Sequence, residues 1–158
     1  MSRIFSLVVA FAVLGLAACS TKVERHTPAP AVITSGVTVS SIESSAVGGV
    51  PGDVPHKLET AIYSKLSGHA AGGTPVKLKV TVTKYDIKSG GTRFIGGALA
   101  GSNKMTASVE VLDASGTTID SFTVERSSNP GGYGMFYDQA TATIDAVAEG
   151  IVDGLTAN

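Results

Sequence analysis

Polar and apolar residues alternate with a period of two over three stretches of the chain and with a helical period over two others, which sets the kind of element each can form. After Pro75, the residues Val76, Leu78, Val80 and Val82 point one way and Lys77, Lys79, Thr81 and Thr83 the other, the pattern of an antiparallel strand with one solvated face. Near Lys84 the parity flips to Tyr85 and Ile87, which predicts a bulge. Met105, Ala107, Val109 and Val111 alternate with Thr106, Ser108 and Glu110, and Thr118 to Glu125 is their expected partner. Asp113-Ala114-Ser115-Gly116 between them reads as a hairpin turn in which Gly116 takes a positive φ. A shorter alternation, Val37 and Val39 against Thr38 and Ser40, predicts a first strand from Gly36 that Gly48-Gly49-Val50-Pro51-Gly52 breaks.

The helical period comes next. Val54, Leu58, Ile62 and Leu66 recur at steps of four behind Asp53, an expected cap, and Gly68 ends the pattern. Ser127 to Gly134 reads as loop. The last element is a long helix with the stripe Phe136, Ala140, Thr143, Ile144, Val147, Ile151 and Leu155, while Asp138, Asp145, Glu149 and Asp153 occupy the remaining surface. The order β-α-β-β-β-α predicts an α+β fold over residues 36–158: one antiparallel sheet of about four strands with two helices packed on one face.

Composition bounds the chain without naming its task. At 158 residues and 43% hydrophobic it has material for one domain with a real core, so disorder throughout is excluded. A net charge of −1 with no basic block excludes the electrostatic footprint of a nucleic-acid binder. Cys19 is the only cysteine, which excludes an intramolecular disulfide.

The position of that cysteine changes the picture. Arg3 is followed by an uncharged run from Ile4 to Leu16, too short for a membrane span, and the run closes with Leu16-Ala17-Ala18-Cys19. This tetrapeptide resembles the bacterial lipobox. The resemblance implies that residues 1–18 are a lipoprotein signal peptide, that Cys19 carries a diacylglyceryl thioether, and that its freed amino group is acylated with a fatty acid such as palmitate. Ser20 stands where Asp would favour inner-membrane retention, so the expected destination is the periplasmic face of the outer membrane. Pro28, Pro30 and mixed charges between Thr21 and Ser35 give residues 19–35 the composition of a flexible tether for the lipidated end.

Catalytic and ligand chemistry is sparse. His26, His56 and His69 lack the spacing that places two imidazoles on one metal, and no Gly-x-Ser-x-Gly or Ser-x-x-Lys nucleophile motif is present. Asp113 and Asp120 are expected to face each other across the hairpin, as solvated carboxylates beside a turn. We therefore expect no enzyme, no metal and no cofactor. The segment from Gly90 to Lys104 lacks the spacing of a phosphate cradle, but some fifteen residues is long for a link between adjacent strands. Arg93, Phe94, Ile95 and Leu99 within it are the candidate docking residues, because a cation and an aromatic on a glycine-rich loop suit a binding hot spot.

Lys84-Tyr85-Asp86, Thr92-Arg93-Phe94 with Gly96-Gly97 and Gly101, and Val109 to Gly116 together resemble a family of uncharacterised bacterial outer-membrane lipoproteins. Members share a strand, a Gly-rich Arg-Phe loop and a strand ending in an Asp-x-x-Gly turn. In element order the domain is also similar to modules of the curli-secretion lipoprotein and of the lipoprotein activators of penicillin-binding proteins. Those modules bind proteins, but the curli channel has long alternating membrane hairpins that this chain lacks. The expectation is a lipid-anchored, non-catalytic interaction module in envelope assembly or maintenance, with an envelope protein as partner. The alternative is a subunit of an oligomeric export apparatus that self-associates through the glycine-rich loop.

Overall fold

A computed structural model describes residues 19–26, 28–68, 72–88, 101–129 and 138–156. Among them run β1 (Cys19–Arg25), α1 (Ala31–Thr34), β2 (Val37–Ala46), α2 (Val54–Leu66), β3 (Thr74–Asp86), β4 (Asn103–Leu112), β5 (Thr118–Ser128) and α3 (Gln139–Thr156). The five strands form one sheet in the order β1-β5-β4-β3-β2.

The centre of the sheet follows the alternation in the sequence. β3, β4 and β5 are joined as antiparallel neighbours, and Val76, Leu78, Val80, Val82, Met105, Ala107, Val109, Val111, Phe122 and Val124 are buried on one face. Each fully buried side chain of this size contributes about 1.5–3 kcal/mol, so this face alone makes the register expensive to slip. The opposite face is Ser, Thr, Lys and Glu, with cross-strand ion pairs Lys79–Glu110 at 3.6 Å and Lys104–Glu125 at 3.2 Å. The expected irregularity near Lys84 is a register shift between Val82 and Lys84 that returns Tyr85 to the buried side. The expected hairpin is also present. Gly116 has φ 86° and its N–H donates to the Asp113 carbonyl at 3.0 Å, while Asp113 Oδ1 accepts from the Ser115 and Thr117 amides at 2.9 and 3.0 Å.

Three features depart from the expected architecture. First, β2 pairs with β3 in parallel, so the sheet is mixed and not antiparallel throughout. The cause is α2. A strand, a 13-residue helix and a strand return the chain to the end from which it set out, and alternation alone cannot distinguish this crossover from a hairpin. Second, β2 runs on to Ala46 because a register shift between Val39 and Ser41 moves the buried parity from Val39 to Ile42. Third, the segment with a tether's composition contains a fifth strand and a short third helix. β1 pairs with β5 from Cys19↔Ser128 to Arg25↔Phe122, and Ile33 of α1 is buried.

The two longer helices pack on the buried face. Val54, Leu58 and Ile62 of α2 and Ile144, Val147, Ile151 and Leu155 of α3 join the same apolar core as the strands. The stripe of α3 is wider than the periodicity showed: Ala148, Gly150, Val152 and Gly154 are buried as well. Asp53 makes no side-chain cap to α2 and instead pairs with Lys57 at 2.8 Å. Asp138 is the residue that caps a helix, its carboxylate accepting from the Thr141 amide at 3.1 Å and hydroxyl at 2.7 Å.

Candidate functional site

The residues that set β1 apart lie at its two ends. At the Arg25 end, the guanidinium donates to Asp120 Oδ2 and to the Gly154 carbonyl, and it lies 5.1 Å from the centroid of the Phe122 ring. The Asp120 side chain has no exposed surface, and its Oδ1 has no hydrogen-bond partner among the described residues. An ionised carboxylate in such a place is tolerated only with a counter-charge, which Arg25 supplies from the edge strand. One ion pair therefore connects β1, β5 and α3.

Between the two ends, α3 lies close over β1 and β5. A Cβ on Gly150 would meet Val124 Cγ1 at 2.7 Å and Thr21 Cγ2 at 2.8 Å, and one on Gly154 would meet Phe122 Cε2 at 2.6 Å. Two glycines one helical turn apart thus open a groove in α3 into which Thr21, Val124 and Phe122 fit.

At the Cys19 end, Cys19 pairs with Ser128 of β5, and Ser128 pairs with Asn103 of β4. Asn103 is buried and binds in two directions: its Oδ1 accepts the Lys88 amide at 2.9 Å and its Nδ2 donates to Gln139 Oε1 at 3.2 Å. It ties the exit of β3, the start of β4 and the first turn of α3 together at the end of the sheet where β1 begins. Lys22–Glu24, Lys88–Asp86 and Lys104–Glu125 are ion pairs near this end, and Arg126 donates to the Thr21 hydroxyl at 3.0 Å.

The other candidate residues separate. Asp113 and Asp120 do not face each other, because a register shift between Val111 and Leu112 sets Asp120 opposite Val111 and leaves Asp113 in the turn. Asp113 is held below the usual carboxylate range by the Ser115 hydroxyl and then by the Thr117 amide. His26 and His56 are exposed and far apart in the fold, and His69 lies outside the described residues. No cluster of three or more His, Cys, Asp or Glu occurs among the described residues, and no helix among them is long and apolar enough to cross a membrane. A groove of about 380 Å³ between α2 and α3 is lined by His56, Lys57, Thr60, Ser64, Thr141 and Asp145, but the His56 imidazole bonds to none of these hydroxyls. Arg93, Phe94, Ile95 and Leu99 lie outside the described residues; Lys88 and Gly101, which flank their segment, are at the Cys19 end of the sheet.

The sequence pattern named Asp120 only as a solvated carboxylate and did not show its pairing with Arg25, 95 positions away, nor Gly150 with Gly154. The Gly-x-x-x-Gly spacing inside an apolar helix was a usable signal for close approach. An Arg next to a Pro-rich segment was not.

No protein-family model matches the chain, and no curated protein matches it significantly. Solved structures do. A point variant of PelC from Paraburkholderia phytofirmans, a dodecamer, aligns with a TM-score of 0.53 at 18% identity over 88% of this chain and 100% of that one. The PelC dodecamer in a second crystal form aligns with a TM-score of 0.51 at 18% identity over 88% and 99%. An inferred lipoprotein from Caulobacter crescentus aligns with a TM-score of 0.42 at 16% identity over 79% and 90%. At these identities the likeness to PelC shows a shared fold.

Proposed function

We propose that the chain is a lipoprotein of the bacterial envelope, fixed through Cys19 to the periplasmic face of the outer membrane, and that it works as a non-catalytic interaction module in envelope assembly or maintenance. The observation that carries this reading is Leu16-Ala17-Ala18-Cys19 behind a short apolar run, in a chain with no other cysteine. A single acyl chain gives marginal, reversible binding, and two or more give stable anchoring at about 0.8 kcal/mol per buried methylene. Among the described residues, the buried ion pair of Arg25 with Asp120 joins β1 to β5 and, through the Gly154 carbonyl, to α3, which suits a structural tie. Cys19→Ser should abolish palmitate labelling and leave a precursor that is not cleaved before residue 19. Normal-sized, membrane-bound mature protein in that variant would refute the anchor.

A second reading, a subunit of an oligomeric export apparatus, is favoured by one observation: the PelC structures that share this fold are dodecamers. Sedimentation of the full-length protein in mild detergent separates the two. A discrete species of many copies supports the ring; a monomer at micromolar concentration supports the module that binds other proteins.

A further inference from the structure

Cys19, the last residue of the lipobox, is also the first residue of β1, and its backbone is already in register with Ser128. Resting on the reading that Cys19 is acylated, we propose that the end of the sheet formed by Cys19, Ser128 and Asn103 is the surface this domain turns to the lipid bilayer. The strands stand on it with no spacer between lipid and fold.

The alternative is that β1 peels away and serves as the tether its composition suggests. Seven residues of extended chain span about 23 Å, so the two arrangements differ by about that height above the headgroups. Arg25 decides between them. It is the last residue of β1, and withdrawing it would strip the buried Asp120 carboxylate of its counter-charge and the Phe122 ring of its cation. Thr21, in the middle of β1, is held by Arg126 and lies in the groove at Gly150. The strand is thus fastened along its length, and the anchor must sit where the strand starts.

Charge among the described residues offers little competition to this attachment. Lys22, Lys88 and Lys104 each pair with a neighbouring carboxylate, and the two described cations of this end outside ion pairs, Lys84 and Arg126, do not make a block of one sign. The attitude of the domain is then set by the covalent point, and it should not change with salt, unlike a domain held by screened surface charge.

The test uses the full-length lipidated protein, reconstituted in vesicles of phosphatidylethanolamine and phosphatidylglycerol that carry nitroxide-labelled headgroups. Asn129→Cys and Ala114→Cys are both exposed and are labelled singly with a fluorophore, the Cys19 thiol being blocked by its lipid. Asn129 follows β5 at the Cys19 end and Ala114 lies in the hairpin at the other end, about 30 Å apart along the strands, so quenching should be about threefold or more stronger at Asn129. The difference should persist at high salt. Inserting about twelve Gly and Ser residues between Cys19 and Ser20, a coil of about 20 Å, should erase it. Equal quenching at the two positions in acylated protein, or no response to the insertion, overturns this proposal and leaves the anchor standing. An intact mass without acyl groups overturns the anchor and this proposal together.

Discussion

The β3–β4–β5 meander and the β1 edge belong to one sheet but hold together by different means. The meander is apolar on one face, its partners are neighbours in sequence, and the residues that set its register are the ones that alternate. β1 is largely exposed, with Val23 at 38% of its surface in contact with solvent, and it joins β5 from about a hundred residues away. What seats it is a buried ion pair and a glycine groove, neither of which shows as a period. The contrast separates two questions that a hydrophobic pattern tends to merge: which residues form a strand, and what makes that strand stay.

The sharpest way to break the comparison is to remove the charge at the edge. Arg25→Ala leaves the buried Asp120 carboxylate uncompensated and should cost about 3–5 kcal/mol, read as a shift in urea midpoint of a soluble chain beginning at Ser20. Replacing both partners, Arg25→Met with Asp120→Leu, should recover most of that loss, since apolar replacement of a buried pair is often neutral or better. If Arg25→Ala matched wild type, β1 would be an adherent tail and not a fastened strand.

In the apolar part of the fold, Ile144 on α3 is buried and its neighbour Asp145 is exposed. Ile144→Ala should cost about 2–5 kcal/mol, and Asp145→Ala less than about 0.5 kcal/mol. Equal losses in the same urea titration would mean that the helix periodicity does not report burial. The pair is the control for the edge variants, because it tests the part of the molecule that pattern alone explains.

The glycine groove should give a smaller effect with a diagnostic sign. Gly154→Ala gains about 1 kcal/mol of helix propensity and loses about 1–3 kcal/mol by forcing a methyl against the buried Phe122 ring, for a net loss of about 1–2 kcal/mol. Pairing it with Phe122→Leu makes room for the methyl. The penalty for Gly154→Ala measured in that background should vanish or change sign; a penalty that persists would show that the groove does not matter to the packing of α3.

These variants follow the line along which the fold was legible. The strands of the meander, the parity change near Lys84 and the Asp113–Gly116 turn were readable because each is written in residues within about a dozen positions of one another along the chain. The parallel pairing of β2 was readable in principle from a strand, a helix and a strand in succession, but alternation of Val37 and Val39 carries no information on direction. β1 was hidden for a deeper reason: its segment has a linker's composition, and the feature that seats it, Arg25 against Asp120, exists only once β5 and α3 are in place. At the candidate site the Leu-Ala-Ala-Cys motif marked Cys19 as the expected anchor, while its place at the head of a strand was not legible.

One contact is both polar and local, and the helical stripe left its residue on the open surface of the last helix without marking it as a cap. Asp138 accepts from the amide and hydroxyl of Thr141, three residues on, as the cap of α3. These bonds, the hydroxyl first, hold its carboxyl below the ordinary value of 3.8. A carboxyl whose pKa is lowered on folding stabilises the fold above its unfolded value, and that contribution is lost as pH falls through the folded value. Asp138→Ala should therefore cost about 1 kcal/mol at neutral pH, whereas Asp138→Asn, an equally good cap, should cost only a few tenths. At about pH 3 and below, the gap between wild type and Asp138→Asn should narrow or invert, because the aspartate begins to protonate and the amide does not. Urea midpoints at the two pH values give both differences. A flat pH response would mean that Thr141 does not hold the charged carboxylate.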